Sequence, residues 1–122
     1  MQTCCRGIRG ATTVDSNTKE AILAATSELL QKMMKDNGVV KEQIACVFFT
    51  TTTDLNAAFP AQAARRLGWS EVALLCGHEM NVPGSLAKCL RILMMVNTNK
   101  KLQDIVHIYI KGTESLRSDD EP

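Results

Sequence analysis

Three arginines stand where their neighbours leave them little water. Arg6 and Arg9 interrupt RGIRGATTV, a stretch of small and β-branched residues that reads as a buried strand, and Arg91 interrupts CLRILMMV. Residues three apart in a strand point to opposite faces, so one of Arg6 and Arg9 faces inward, and spacing does not say which. A guanidinium taken out of water demands an anionic partner. Its planar fork donates two parallel hydrogen bonds and keeps its charge at neutral pH, so the chemistry on offer is recognition of a carboxylate. The competing reading sends Arg6 or Arg9 past a sheet edge into solvent.

Other polar side chains carry weaker signals. Glu79 follows closely on the apolar run Val72 to Cys76, and strand ends are where α/β folds place site residues; a solvated loop carboxylate is the alternative. His78 and Glu79 fall short of the zinc motif H-E-x-x-H, because Val82 stands at the second histidine. Cys76 has only His78, a neighbour along the backbone, to serve as a base, so a small buried hydrophobe fits it better than a nucleophile. His107 alternates with apolar residues, as a structural or exposed histidine would. Tyr109 shares its face, and its hydroxyl either reaches a pocket or is satisfied in the core. Thr50 to Thr53 offers hydroxyls to an anion or simply ends a strand, and the paired methionines at 33–34 and 94–95 read as core filler. A glycine-rich phosphate loop is missing, which disfavours a nucleotide-dependent enzyme.

These residues must be positioned by a chain of 122 residues, 45% hydrophobic, enough for one core and too short for two domains. A net charge of +1 argues against a broad basic surface for nucleic acid or membrane, so any basic site is local. The cysteines (Cys4, Cys5, Cys46, Cys76 and Cys89) are odd in number and form no C-x-x-C pair, and a reduced cytoplasmic chain is the simplest reading. MQTCCRG has no apolar leader, and no window reaches the ~18 continuous apolar residues of a membrane span.

Along the chain, Asn17 and Glu20 have capping-box spacing, and Ile22, Thr26, Leu29, Leu30 and Met33 repeat at helical spacing up to a stop at Asn37 and Gly38. Ile44 to Phe49 reads as a strand buried on both faces, Phe59 and Pro60 start a short helix that ends before Gly68, and Val72 to Cys76 reads as a third buried strand. Pro83 to Ser85 opens a further helix, Ile105 to Ile110 is the last strand, and Ser115 to Pro122 is a polar tail. The expected order β-α-β-α-β-α-β gives an α/β domain with helices packed on a sheet. The helix through CLRILMMV is apolar all round except for Arg91, which implies cover by a partner subunit and puts Arg91 at that interface.

Taken together, RGIRGATTV, TDLNAAFPAQAARRLGW, LLCGHEMNVPGSLAKCLRILMMV and HIYI followed by LR resemble, in order and spacing, the monofunctional trimeric α/β class of chorismate mutase. The resemblance implies one domain over 1–122, a mixed sheet with helices on it, and a homotrimer whose sheets form a pseudo-barrel with active sites between subunits. It implies isomerisation of chorismate to prephenate, on the route to phenylalanine and tyrosine, by an intramolecular Claisen rearrangement that needs no cofactor or metal.

By matching motif, the resemblance assigns Arg91 to the ether oxygen and a carboxylate, Arg9 to a carboxylate, and Tyr109 to a carboxylate. Glu79 and Cys76 would hold the ring hydroxyl, in a substrate-binding segment that includes Gly77 and His78. Phe59 and Leu75 would wall the pocket from the neighbouring subunit with Arg65 near its mouth, and Leu116 and Arg117 would belong to a mobile tail, 115–122, that closes over it. Gln62 stands where the family commonly has lysine, and Leu75 where it has threonine. An imine or enamine deaminase of similar fold and a non-catalytic trimeric carboxylate-binding module are the alternatives.

Overall fold

The computed structural model describes residues 3–117. The first strand, β1 (Cys4–Thr13), turns Ile8, Gly10 and Thr12 toward a long helix, α1 (Lys19–Asn37), and Arg9 to the other side. Gly10 is where the two approach most closely. A methyl group built there would lie 2.4 Å from Met33 Sδ and 3.2 Å from Leu29 Cδ1. Gly10→Ala is therefore expected to destabilise the protein by about 1–3 kcal/mol through overpacking, read by urea unfolding.

The start of α1 differs from the expected capping box. Thr18 is the cap, its hydroxyl accepting from the Ala21 N–H at 3.1 Å. Asn17 is instead used by a loop: its carbonyl accepts from the backbone N–H groups of Asn56 and Ala57 at 2.9 and 3.0 Å. The stop falls as expected, with Gly38 left-handed at φ 61°.

The remaining elements are β2 (Ile44–Thr51), α2 (Ala61–Arg66), β3 (Ala73–His78), β4 (Cys89–Thr98) and β5 (Ile108–Tyr109), with single 3-10 turns at Lys41–Gln43, Leu102–Asp104 and Glu114–Arg117. The sheet runs β3-β2-β4-β1-β5, with β2 parallel to β3, β1 parallel to β5, and β4 antiparallel to both its neighbours.

The expected helix over CLRILMMV is strand β4, the centre of this sheet. Its continuous apolar run reflects position rather than helical burial: Leu90, Ile92, Met94 and Val96 enter the core, while Arg91, Leu93 and Met95 face the opposite side. The segment at 83–88 that was to open that helix is a loop. The last strand is shorter than Ile105 to Ile110 because the buried side chain of Asn37 takes the place of a neighbouring strand at Val106. Its carbonyl accepts the Val106 N–H at 2.8 Å and its amide donates to the Val106 carbonyl at 2.9 Å.

In the protomer β2 buries one face only, and β3 is an open edge rather than a buried strand, with Leu75 62% exposed. The strand registers align Leu75, Phe48, Leu93 and Arg9 in one row across the face away from α1. Gly77, Thr50, Arg91, Ala11 and Tyr109 form the next row. No described helix is long and apolar enough to cross a membrane.

Candidate active site

The second of those rows collects the polar groups. Glu79 continues the β2–β3 ladder, its N–H bonding the Thr51 carbonyl at 2.8 Å, so its side chain shares a face with Gly77. The Thr50 hydroxyl donates to Glu79 Oε2, and Arg91 Nε lies 4.0 Å from the same oxygen. Glu79 thus holds the Nε edge of the guanidinium. Both side chains remain about one-third exposed, open to a ligand.

Arg91 is positioned from behind by a polar clamp at the start of β4. Asp54 accepts from the Lys88 N–H at 2.9 Å and from the Thr52 hydroxyl at 2.5 Å, and that hydroxyl accepts from the Cys89 N–H at 3.0 Å. The Thr52 hydroxyl is the main reason the Asp54 carboxyl titrates below its ordinary value. Lys88 takes a left-handed φ of 48° to enter the strand. The buried Cys89 thiol lies beside Arg91; burial pushes its pKa up, and the guanidinium offsets this only in part, so the thiol stays protonated.

At the far end of the row, Ala11 separates Arg91 from Tyr109. Its small side chain leaves a floor between them. Arg9, opposite Leu93, is the diagonal neighbour of Arg91, at about the 7–8 Å typical of such pairs. The guanidinium carbon of Arg9 lies 6.0 Å from the Tyr109 ring centre and that of Arg117 5.8 Å, so two cations flank one aromatic ring.

The structure therefore brings Arg91 together with Glu79, and Arg9 with Tyr109 and Arg117, on one face. Of the two N-terminal arginines, Arg9 is exposed on that open face rather than inward in the protomer. Arg6 is half-buried on the other side and donates from Nε to the Lys100 carbonyl at 3.1 Å. Cys76, Gly77 and His78 line a cavity of about 480 Å³ with Phe59 and Gln62, beside the loop that leads into α2. His78 is turned there toward Thr51, with Nδ1 3.2 Å from its hydroxyl.

Phe59 is 72% exposed, Leu75 lies on the edge strand, and Arg65 is exposed in the last turn of α2. Leu75 lies at the opposite end of its row from Arg9, with Phe48 and Leu93 between them. Leu116 and Arg117 sit in the Glu114–Arg117 turn, and the rest of the expected tail lies outside the described residues. Asp54 and Cys89 carried no site signal in the sequence, the first because its role is backbone bonding, the second because a helical reading of its segment hid the face it shares with Arg91.

His107 has a role as well. Its Nδ1 accepts the backbone N–H of Arg9 at 2.9 Å. Burial first, then the charges of Arg9 and Arg117, holds its pKa below the ordinary 6.5. The folded state then binds fewer protons than the unfolded chain, so this group's contribution is complete above the unfolded value and is lost as pH falls toward the folded one. Thermal unfolding is expected at a lower temperature at about pH 5 than at about pH 7.5, with His107→Asn reducing the difference.

Comparisons with known proteins place the chain by sequence and by fold. Residues 5–120 match the family "Chorismate mutase type I". The chain is 48% identical over 115 residues to the chorismate mutase AroH of Thermus thermophilus, covering 93% of this chain and 94% of that one. It is 44% identical over 115 residues to the chorismate mutase AroH of Bacillus subtilis, covering 93% and 91%. A solved chorismate mutase from Clostridium thermocellum superposes with a TM-score of 0.89 at 50% identity, over 91% of this chain and 99% of that one. With the family match over 5–120, the identity over nearly the whole length and the shared fold, the chain belongs to the type I chorismate mutase family.

Proposed function

We propose that the protein isomerises chorismate to prephenate on the route to phenylalanine and tyrosine, as a single domain acting in the cytoplasm. The observation that carries this reading is the row Thr50, Arg91, Ala11, Tyr109, with Glu79 at one end and Arg9 and Arg117 at the other. It presents three guanidiniums and one carboxylate around a small floor, which suits a folded dianion carrying a ring hydroxyl. The deaminase alternative is not favoured by family membership.

The rearrangement breaks an ether C–O bond as a C–C bond forms, with electrons moving in one ring. It calls for a held conformer and for stabilisation of separated charge. Arg91, with Nε directed to Glu79, turns its terminal N–H groups toward the ether oxygen, where negative charge develops, and toward a carboxylate. Arg9 and Tyr109 hold carboxylates, and Glu79 with Cys76 and its neighbours Gly77 and His78 holds the ring hydroxyl and favours positive character on the ring. Leu116 and Arg117 cover the substrate.

The site is completed by a second copy in a homotrimer. Phe48, Leu75 and Leu93 leave 39%, 62% and 38% of their surfaces exposed beside the arginines, which suits burial against another subunit's sheet. Phe59, Leu75 and Arg65, all exposed in the protomer, would then reach the arginine row of a neighbour.

The test is turnover of chorismate by purified protein in the presence of a chelator, with prephenate identified as product and the mass measured by equilibrium sedimentation. A rate no greater than the uncatalysed background would sink the mutase reading. A monomer at full activity would sink the shared site.

A further inference from the structure

We infer that His107 is a positioning residue for Arg9, a neutral imidazole hook that sets the pH range in which the carboxylate anchor is in place. The inference rests on the mutase reading above. In the parallel pairing of β1 with β5, Gly10 faces Ile108 and Ala11 faces Tyr109. One residue earlier the ladder has no strand partner for the Arg9 N–H, and the His107 ring supplies the acceptor, Nδ1 at 2.9 Å. Nδ1 accepts only when it carries no proton, so the hook requires the neutral tautomer with its proton on Nε2.

The surroundings keep it neutral. The charged groups facing it are Arg9 from β1 and Arg117 from the Glu114–Arg117 turn, both cationic, and both lower its pKa after burial. Tyr109, two residues on, brings an aromatic ring that lies against both of these guanidiniums. From α1 the neutral amide of Asn37 fixes the preceding residue, Val106, through two hydrogen bonds. The ring is therefore held on one side by its backbone and on the other by the strand it anchors.

Uptake of one proton from solvent turns the acceptor at Nδ1 into a donor facing another donor, and adds a third cation beside Arg9 and Arg117. The Arg9 backbone loses its tie on the β5 side and keeps only its place opposite Leu93 in β4, so its guanidinium is held less firmly. Chorismate stays a dianion above about pH 5, as ordinary carboxylates do, so acid in this range acts on the protein and not on the ligand.

The experiment combines pH-dependent steady-state kinetics on the full-length protein with NMR of the imidazole nitrogens. For wild type, kcat/KM is expected to fall roughly five- to tenfold on acidification below the histidine's pKa, the equivalent of one hydrogen bond, and the change should reside in KM. His107→Asn places a carbonyl oxygen near Nδ1 without a titrating group; it should restore the hook and flatten the acid limb. His107→Leu, which has no acceptor, should show the raised KM at every pH.

The nitrogen spectra should report a neutral ring protonated on Nε2. An acid limb that persists in His107→Asn, a wild-type KM in His107→Leu, or a ring protonated on Nδ1 would each overturn the inference. Should wild-type protein turn over no chorismate at any pH while the spectra are as expected, the mutase reading falls and the hook itself stands.

Discussion

Replacing Arg91 by alanine is expected to lower kcat by about a hundred- to a thousandfold, the usual cost of removing one preorganised donor from a developing oxyanion. The loss should appear in kcat, because the ether-oxygen contact strengthens as the bond breaks, and further in kcat/KM through the carboxylate that Arg91 is also proposed to hold. The same change leaves Glu79 and the hydroxyl of Thr50 without their cation. Arg91→Lys keeps the charge but not the fork, and should recover only part of the rate, since a point charge cannot serve Glu79 and substrate through separate N–H groups. Steady-state kinetics on variants with unchanged unfolding midpoints check this. An Arg91→Ala enzyme within tenfold of wild type would remove Arg91 from the chemistry.

Arg9→Ala is expected to act differently. In the proposed site it holds a carboxylate that is charged before, during and after the rearrangement, so the binding lost is nearly uniform and should fall mainly on KM. Charge-assisted hydrogen bonds contribute about 1.5–3 kcal/mol, which places the rise in KM at roughly 10- to 150-fold. Part of the effect will come through Tyr109, whose ring then keeps only Arg117 as a neighbouring cation. A fall in kcat alone, with KM unchanged, would mean that Arg9 acts on the transition state instead.

Much of the scaffold was readable from local signals. RGIRGATTV is a strand, α1 ends at Asn37 with Gly38 beyond it, and Pro60 precedes the short α2. Those signals are local because turns, caps and proline act within a few residues. CLRILMMV misled because an eight-residue run, apolar but for Arg91, has no period of its own; only its place between β1 and β2 makes it a strand. The arginines could be named but not oriented, since which face of β1 is covered depends on where α1 lands. The Asn37 and His107 contacts were out of reach for a related reason: each is a side chain standing in for a strand, and nothing in the local sequence announces a missing ladder partner.

The position of β1 has a consequence for how the molecule is made. Among the described residues its strand partners are β4 and β5, from the last third of the chain, with Cys4 pairing Thr98. On the ribosome β1 must therefore wait, without these partners, until β4 and β5 have followed. Folding is gated by long-range closure, which is slow and leaves an apolar strand exposed meanwhile. Arg6 and Arg9 interrupt that strand with charge during the wait, as gatekeeper residues do. Arg9, the one of the two proposed to anchor a substrate, would thus serve the nascent chain before it serves the ligand.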